Sequence, residues 1–260
     1  MDIRCIINNK NVVLSGKEDE RLRDVLYRSG YNSVRDSDDG EGFAGSDTIV
    51  FNGKLKYSNL ILLYQAQGAE IRTAEGLLKG RELNYVQKAM ISAGIVQSAY
   101  NAPAAALILT WLLEQKPNPT KDEIKEVLSG IFIRDAGYEH YYLAVKLATE
   151  LRDYGEYKSE IAPSFRPKLN IIGKPCDKID GASLVSGEKV FVEDKVPQDA
   201  WCLHVLRSPF SHAYINSIDT SEAEKLDGVE AIVTAFNCPD IYYMQAGQGN
   251  PEPSPHDRRL

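Results

Sequence analysis

Three sets of residues in this 260-residue chain have types that can do chemistry: a clustered acidic loop, four histidines and four cysteines. The loop Asp36-Ser37-Asp38-Asp39-Gly40-Glu41 gathers the oxygens that hard cations take. A calcium loop of the helix–loop–helix kind needs glycine at its sixth position, where Glu41 stands, so the stretch reads as a solvated loop. No matched set of metal ligands surrounds His204 or His212, and both read as structural, as does His140 beside the pair Tyr141-Tyr142. Cys5, Cys176, Cys202 and Cys238 lie far apart with no C-x-x-C pair, the pattern of reduced thiols in a cytoplasmic protein. None of these sets forms a catalytic constellation, and no catalytic or metal-binding residue is assigned from them.

The hydrophobic periodicity says what elements would carry any site. Ile3, Cys5 and Ile7 alternate as a strand, Asn8 to Asn11 is turn chemistry, and Val12-Val13-Leu14 returns as the second strand of a hairpin. Leu22, Val25 and Leu26 share one helical face. Thr48 to Phe51 is strand-like and closes on Asn52-Gly53, a strong hairpin signal; Ile71 sits in a last short strand. Between about 80 and 152 the pattern turns helical. Asn101 is placed to cap a helix with Pro103 in its first turn, and the run Ala104 to Leu113 is apolar nearly all round, which belongs in the middle of a bundle. Thr120 and Glu123 form a capping-box pattern ahead of Ile124, Val127 and Leu128, and Gly130 supplies the stop. Tyr141, Ala144, Val145 and Ala148 make one face of the next helix. Residues 153–168 have the charge, proline and glycine content of a linker. Further on, Trp201-Cys202-Leu203-His204-Val205-Leu206 suits a strand packed on both faces.

A net charge of −7 gives no footprint for nucleic acid or an anionic membrane. No apolar run approaches the roughly 18 residues of a spanning helix, and the first residues lack a secretory apolar core.

In order and spacing, several motifs resemble the two-cluster 2Fe–2S subunit of the molybdenum hydroxylases, the xanthine dehydrogenase and aldehyde oxidase family. They are Gly42-Phe43-Ala44-Gly45-Ser46-Asp47-Thr48, Thr73-Ala74-Glu75-Gly76-Leu77, Gly94 to Pro103, Asn118 to Ile124, Leu128-Ser129-Gly130 and Gly137-Tyr138. The resemblance implies an α+β chain: a ferredoxin-like β-grasp over 1–78, a four-helix bundle over 79–152, and the linker. It also implies eight cysteine ligands, and none stands at the matching positions. The first set reads Asp39, Ala44, Asp47 and Asn59; the second reads Ser98 and Asn101, then Ile133 and Asp135. Soft thiolate ligation is not replaced by hard oxygen or alkyl groups, so the expectation is a domain without 2Fe–2S clusters. Its loops would then be ordered by packing of Ala44 and Ile133 and by hydrogen bonds from Asn59, Ser98, Asn101 and Asp135, against roughly 1–2 kcal/mol of backbone entropy per residue.

From Asn170 the chain resembles the opening of the same family's molybdenum-binding subunit. Ile172-Gly173-Lys174-Pro175, Val185-Ser186-Gly187, Leu206-Arg207-Ser208-Pro209 and Ile218-Asp219-Thr220-Ser221 are successive landmarks. Residues 169–260 are therefore expected to be the N-terminal part of an α/β hammerhead, ending before its last strands and before any pterin cradle or active-site base. Gln97 holds the place of a family glutamine that reaches toward the pterin, the one cofactor-binding residue implied. The function implied is a non-redox scaffold chain of a heteromeric molybdenum hydroxylase, with molybdopterin in a large partner subunit. The alternative is a subunit of an active complex whose electrons leave through a partner's flavin or clusters. A docking protein for assembly or regulation is a third.

Overall fold

A computed structural model describes residues 1–37, 40–132, 134–159, 176–188, 191–192, 196–197 and 199–238. The expectations for Asp38, Asp39, Ile133, Asn170 to Pro175 and the closing residues lie outside them. The chain divides into two compact units, Met1–Ala200 and Trp201–Leu260, and the α+β class is that of the structure.

The first unit opens on a mixed five-stranded sheet. Strands β1 (Asp2–Ile7) and β2 (Lys10–Ser15) pair antiparallel, with Ile3 opposite Leu14 and Cys5 opposite Val12. The hairpin turns on Asn8 and Asn9, both at positive φ, which asparagine tolerates and a two-residue hairpin turn requires. Strands β3 (Thr48–Phe51) and β4 (Lys54–Tyr57) form the second hairpin through Asn52-Gly53, again at positive φ. Strand β5 (Glu70–Arg72) runs parallel to β1 and antiparallel to β3, giving the order β2-β1-β5-β3-β4. Period-two burial then fixes the face: Ile3, Cys5 and Ile7 point inward, and helix α1 (Leu22–Arg28) lays Leu22, Val25 and Leu26 over them. Full burial of a Leu, Ile or Val side chain contributes roughly 1.5–3 kcal/mol, so this layer holds the sheet.

The second core is helical. Helix α2 (Tyr85–Ser92) starts on a reciprocal cap in which Asn84 accepts from the Gln87 N–H at 2.8 Å and Gln87 accepts from the Asn84 N–H at 2.9 Å. Helix α3 (Ala102–Gln115) is buried from Ala102 to Thr110 without a break, as its all-apolar sequence requires. Helices α4 (Lys121–Leu128) and α5 (Tyr138–Tyr154) pack against each other, and Gly155 ends α5 in the left-handed conformation. A short helix α6 (Gly181–Ser186) packs on α2 and α3, with Leu184 and Val185 in the helical core. The Val185 carbonyl accepts from Gln87 Nε2 at 3.3 Å. Gly187 follows at φ +82°, where a Cβ would stand 2.5 Å from that of Ser33, so the chain crosses here with no room for a side chain.

Asn101 occupies the capping position of α3 but does not cap it. Its backbone is already helical (φ −101°, ψ −20°), and a cap needs an extended residue whose oxygen reaches the first turn. The second unit also departs from expectation. Trp201 to Leu206 forms no strand, and Trp201, Leu203 and Leu206 are 79%, 91% and 91% exposed. A buried strand needs ladder partners, and no described residue pairs with this run.

The cap of α4 gives a pH test. The Lys116 ammonium, which bonds the carboxylate, and the Thr120 N–H and hydroxyl hold the Glu123 carboxyl at about 2 against an ordinary 4.5. A lowered carboxyl stabilises the fold above its unfolded value and loses that contribution as pH falls through the folded one. The cap therefore loosens between about pH 4.5 and 2, read by NMR titration of the Glu123 carboxyl and the Thr120 amide. In Lys116→Gln the midpoint rises toward the ordinary value.

Candidate functional site

The two cores meet where the 40–47 loop crosses the ends of α3 and α4. Gly42 and Gly45 take φ +80° and +76°, the left-handed region that favours glycine. At Gly45 space decides as well, because a Cβ would lie 2.3 Å from the Gly130 carbonyl oxygen. Gly130 is pinned from its other side by Tyr57, whose hydroxyl donates to the same carbonyl at 2.8 Å. That hydroxyl would stand 2.2 Å from a Cβ at 130. Two loops and a strand end thus converge on backbone that tolerates no side chain.

The positions equated with cluster ligands gather at this junction. Asp47, 1% exposed, accepts from the Asn59 N–H at 2.7 Å, and Ser58 Oγ donates to the Asp47 carbonyl at 2.8 Å. Thr48 Oγ1 donates to the Gly45 carbonyl at 2.7 Å and Ser46 Oγ to that of Arg35 at 2.9 Å. Asn101 Nδ2 donates to the Ala44 carbonyl at 3.1 Å, linking a residue of the second set directly to one of the first. Ser98 Oγ accepts from the Tyr100 N–H at 3.0 Å. The Asn59 amide differs. Its side chain is buried, yet among the described residues neither its oxygen nor its nitrogen has a hydrogen-bond partner, and Asn101 Oδ1 shares that state. Burial raises the Asp135 carboxyl above its ordinary value, and burial together with Asp135 pushes Tyr141 up to about 12.

Other candidates stay apart. Gln97 is exposed, between α2 and α3, with Nε2 donating to the Gly94 carbonyl at 2.7 Å. His140, His204 and His212 are exposed, and among the described residues no three His, Cys, Asp or Glu side chains are grouped to hold a metal. Cys5 is a buried thiol raised by desolvation, while Cys176 and Cys202 are exposed. In the acidic loop, Asp36 accepts from the Gly40 N–H at 3.0 Å, an ordinary turn contact.

Two features went unread in the sequence. Buried Arg35 lays its guanidinium 4.6 Å from the Phe191 ring centroid and 6.0 Å from that of Tyr100, and donates to the Glu188 carbonyl at 3.1 Å. A single arginine in a loop gives no periodic signal for this. The second is Glu75, whose carboxylate accepts from the Ser33 N–H at 2.8 Å and from the Ser33 and Thr73 hydroxyls.

The fold is similar to that of an oxidoreductase of known structure. The aldehyde oxidoreductase of Desulfovibrio desulfuricans superposes with a TM-score of 0.70 and 27% identity, over 90% of this chain and 27% of that one. The family description of a 2Fe–2S binding domain matches residues 73–146, and that of the aldehyde oxidase and xanthine dehydrogenase a/b hammerhead domain matches 186–257. A nicotinate dehydrogenase small FeS subunit of Eubacterium barkeri is 34% identical over 57% of this chain and 94% of its own length. A probable hypoxanthine oxidase of Escherichia coli is 47% identical across the whole chain, which spans 27% of that relative. The chain belongs to the molybdenum hydroxylase family, the group of xanthine dehydrogenase and aldehyde oxidase.

These matches correct the expectation that no 2Fe–2S cofactor belongs to the chain. The matched domain is a 2Fe–2S binding domain, and a relative covered almost end to end is an FeS subunit. That expectation was drawn from ligand positions alone, whereas the comparisons weigh the whole domain. The donor set does not fit the group as it is ordinarily held. Clusters are bound by thiolates, no cysteine stands between 73 and 146, and the described ligand positions present Ala44, Asp47, Asn59, Ser98, Asn101 and Asp135. Glycines shape these loops, and no thiolate stands at the described positions.

The junction's tightness is testable. Gly130→Ala places a methyl against the Tyr57 hydroxyl, an overpacking expected to cost about 1–3 kcal/mol in urea denaturation. Adding Tyr57→Phe removes the clashing oxygen and recovers part of that loss. A double mutant no more stable than Gly130→Ala would place the strain elsewhere.

Proposed function

We propose that this chain is the structural, docking part of a molybdenum hydroxylase-type oxidoreductase, working in the cytoplasm against a large partner that carries molybdopterin. Its domains are then a β-grasp over 1–78, a four-helix bundle over 79–152, a linker over 153–168 and the beginning of a hammerhead over 169–260. One observation carries the reading. The second unit leaves Trp201, Leu203, Leu206, Phe210 and Tyr214 largely exposed, and large apolar side chains left in water in that number favour an interface that covers them. The hammerhead match over 186–257 supports a molybdopterin-bearing partner as what covers it. No helix among the described residues is long and apolar enough to cross a membrane.

Within this reading Gln97 is a pterin contact. Its Nε2 is held by the Gly94 carbonyl, while its Oε1 has no partner among the described residues, which leaves an oriented acceptor at the surface. On this reading the chain's part in the reaction is to hold and orient.

A second reading is favoured by one specific observation, the match to a 2Fe–2S binding domain. The chain would then pass electrons from a partner's molybdenum site to a flavin or to further clusters. Native purification separates the two. The docking reading expects co-elution of a large molybdopterin-containing subunit, and free-running chain in a native extract overturns it. Iron and acid-labile sulfide in stoichiometric amount would establish the relay. In the assembled complex, Gln97→Ala is expected to lower molybdopterin content per complex, and unchanged content removes the pterin assignment.

A further inference from the structure

A groove of about 560 Å³ lies beside the β3–β4 hairpin, and its lining comes from both faces of that ladder. Successive residues of a strand alternate between faces, and directly opposed residues share one. Val50 and Leu55, an opposed pair, pack with the helical core, and Thr48 and Tyr57 lie on the same face. Phe51 packs with the sheet core, and Lys54 and Lys56 share its face. Leu55, Tyr57, Phe51 and Lys56 nevertheless line one groove. Strand β3 is covered on both sides, by β5 and β4, whereas β4 is the last strand in the order. A space that reaches both faces therefore runs along the unpaired edge of β4. Val127 of the helical core borders it on one side and Ile61 of the sheet core on the other.

That edge offers backbone. Across the two-residue turn Asn52-Gly53 the closing pair Phe51–Lys54 exchanges hydrogen bonds, and every second pair repeats the pattern. The Ser58 N–H donates to the Asp47 carbonyl at 3.2 Å, in the same phase. Leu55 and Tyr57 belong to the pairs between, so their N–H and C=O groups point away from β3 to the open edge. Among the described residues no strand pairs there. An extended segment laid along the edge would take up these groups and send alternate side chains to the two faces.

The two faces call for different side chains. On one, Leu55 and Val127 are apolar and half-buried. On the other, Lys54 and Lys56 are exposed, and their ammonium groups have no ion pair or hydrogen bond among the described residues. No carboxylate lines the groove. Pairing β4 with a second copy so that like faces coincide would set lysine against lysine, and like charges directly opposite destabilise a ladder. The charge complements an acidic strand instead.

We propose that the β4 edge is a docking strand for an extended segment of a partner protein in which acidic and apolar residues alternate. The acidic side chains pair with Lys54 and Lys56, the apolar ones lie beside Leu55 and Val127, and the Leu55 and Tyr57 backbone carries the ladder. The site belongs to the first unit alone, so it does not depend on what covers Trp201 to Tyr214.

The test titrates the full chain with the peptide acetyl-Glu-Val-Glu-Val-Glu-Val-amide, followed by backbone amide NMR. Saturable shifts centred on Leu55, Lys56 and Tyr57 are expected, with slower hydrogen exchange at the Leu55 and Tyr57 amides. Two control peptides separate the contributions: one carries Pro for the middle Val and loses a ladder donor, the other carries Lys for every Glu. Both should bind more weakly than the parent peptide. Lys56→Gln, an exposed substitution that leaves the core alone, should weaken the parent peptide about twofold to fivefold. Absence of saturable shifts at these amides overturns the proposal. Equal binding of the proline peptide would reduce the contact to charge alone, and equal binding of the lysine peptide would remove the charge preference; either result overturns it. Dilution-dependent shifts of the same amides without peptide would assign the edge to a second copy of the chain and overturn it as well.

Discussion

Close approach of backbone at Gly45 and Gly130 is the constraint from which the rest of the first unit follows. The sheet with α1 and the helices α2 to α6 have separate cores, and separate cores move unless something fixes their faces. Here Val50, Ala74, Leu77 and Leu55 pack into the helical core, and Tyr57 and Asn101 each reach across to a carbonyl on the other body. Each such bond contributes only about 1 kcal/mol net. Their effect comes from geometry, because the glycines bring carbonyls within reach that a Cβ would hold off.

The sequence was a good guide wherever burial is periodic. Strand β1, the face of α1, the two asparagine turns, the all-round burial of α3 and the Thr120–Glu123 cap follow from patterns that local physics sets. The Asn84–Gln87 cap carries the same signature and was legible, though overlooked. What was not legible depends on contacts between distant segments. Asn101 looks like a cap by type and position, yet its amide serves a loop 57 residues away. Arg35, Phe191 and Tyr100 come together from three segments with no shared period. Trp201 to Leu206 is apolar enough for a buried strand, but apolarity states a demand for cover and says nothing of whether the cover lies in the same compact unit.

The candidate site shows the difference between a frame and its chemistry. Glycines at positive φ, capped helices and the order of elements set the architecture of a domain, and Gly42, Gly45 and Gly94 take such φ values here. Ligand atoms occupy a handful of positions and weigh little in such a likeness. A match therefore speaks strongly for ancestry and architecture, while function has to be argued from the side chains at the site. Asp47 accepts from a backbone N–H and Asn101 donates to a backbone carbonyl, which knits these loops together. Asn59 does not, and two buried polar atoms without partners are an energetic cost that a well-adjusted interior rarely keeps.

Energetics also separate the two units. Leaving a large apolar side chain in water instead of packing it forfeits roughly 1.5–3 kcal/mol, and at least five such side chains between Trp201 and Tyr214 are in that position. The sum is comparable with the whole stability of a typical domain, about 5–15 kcal/mol. Covering those side chains would recover that burial, and on the proposed docking role association would supply it. On the proposed docking role, the chain's contribution to an oxidoreductase would lie in the contacts it makes.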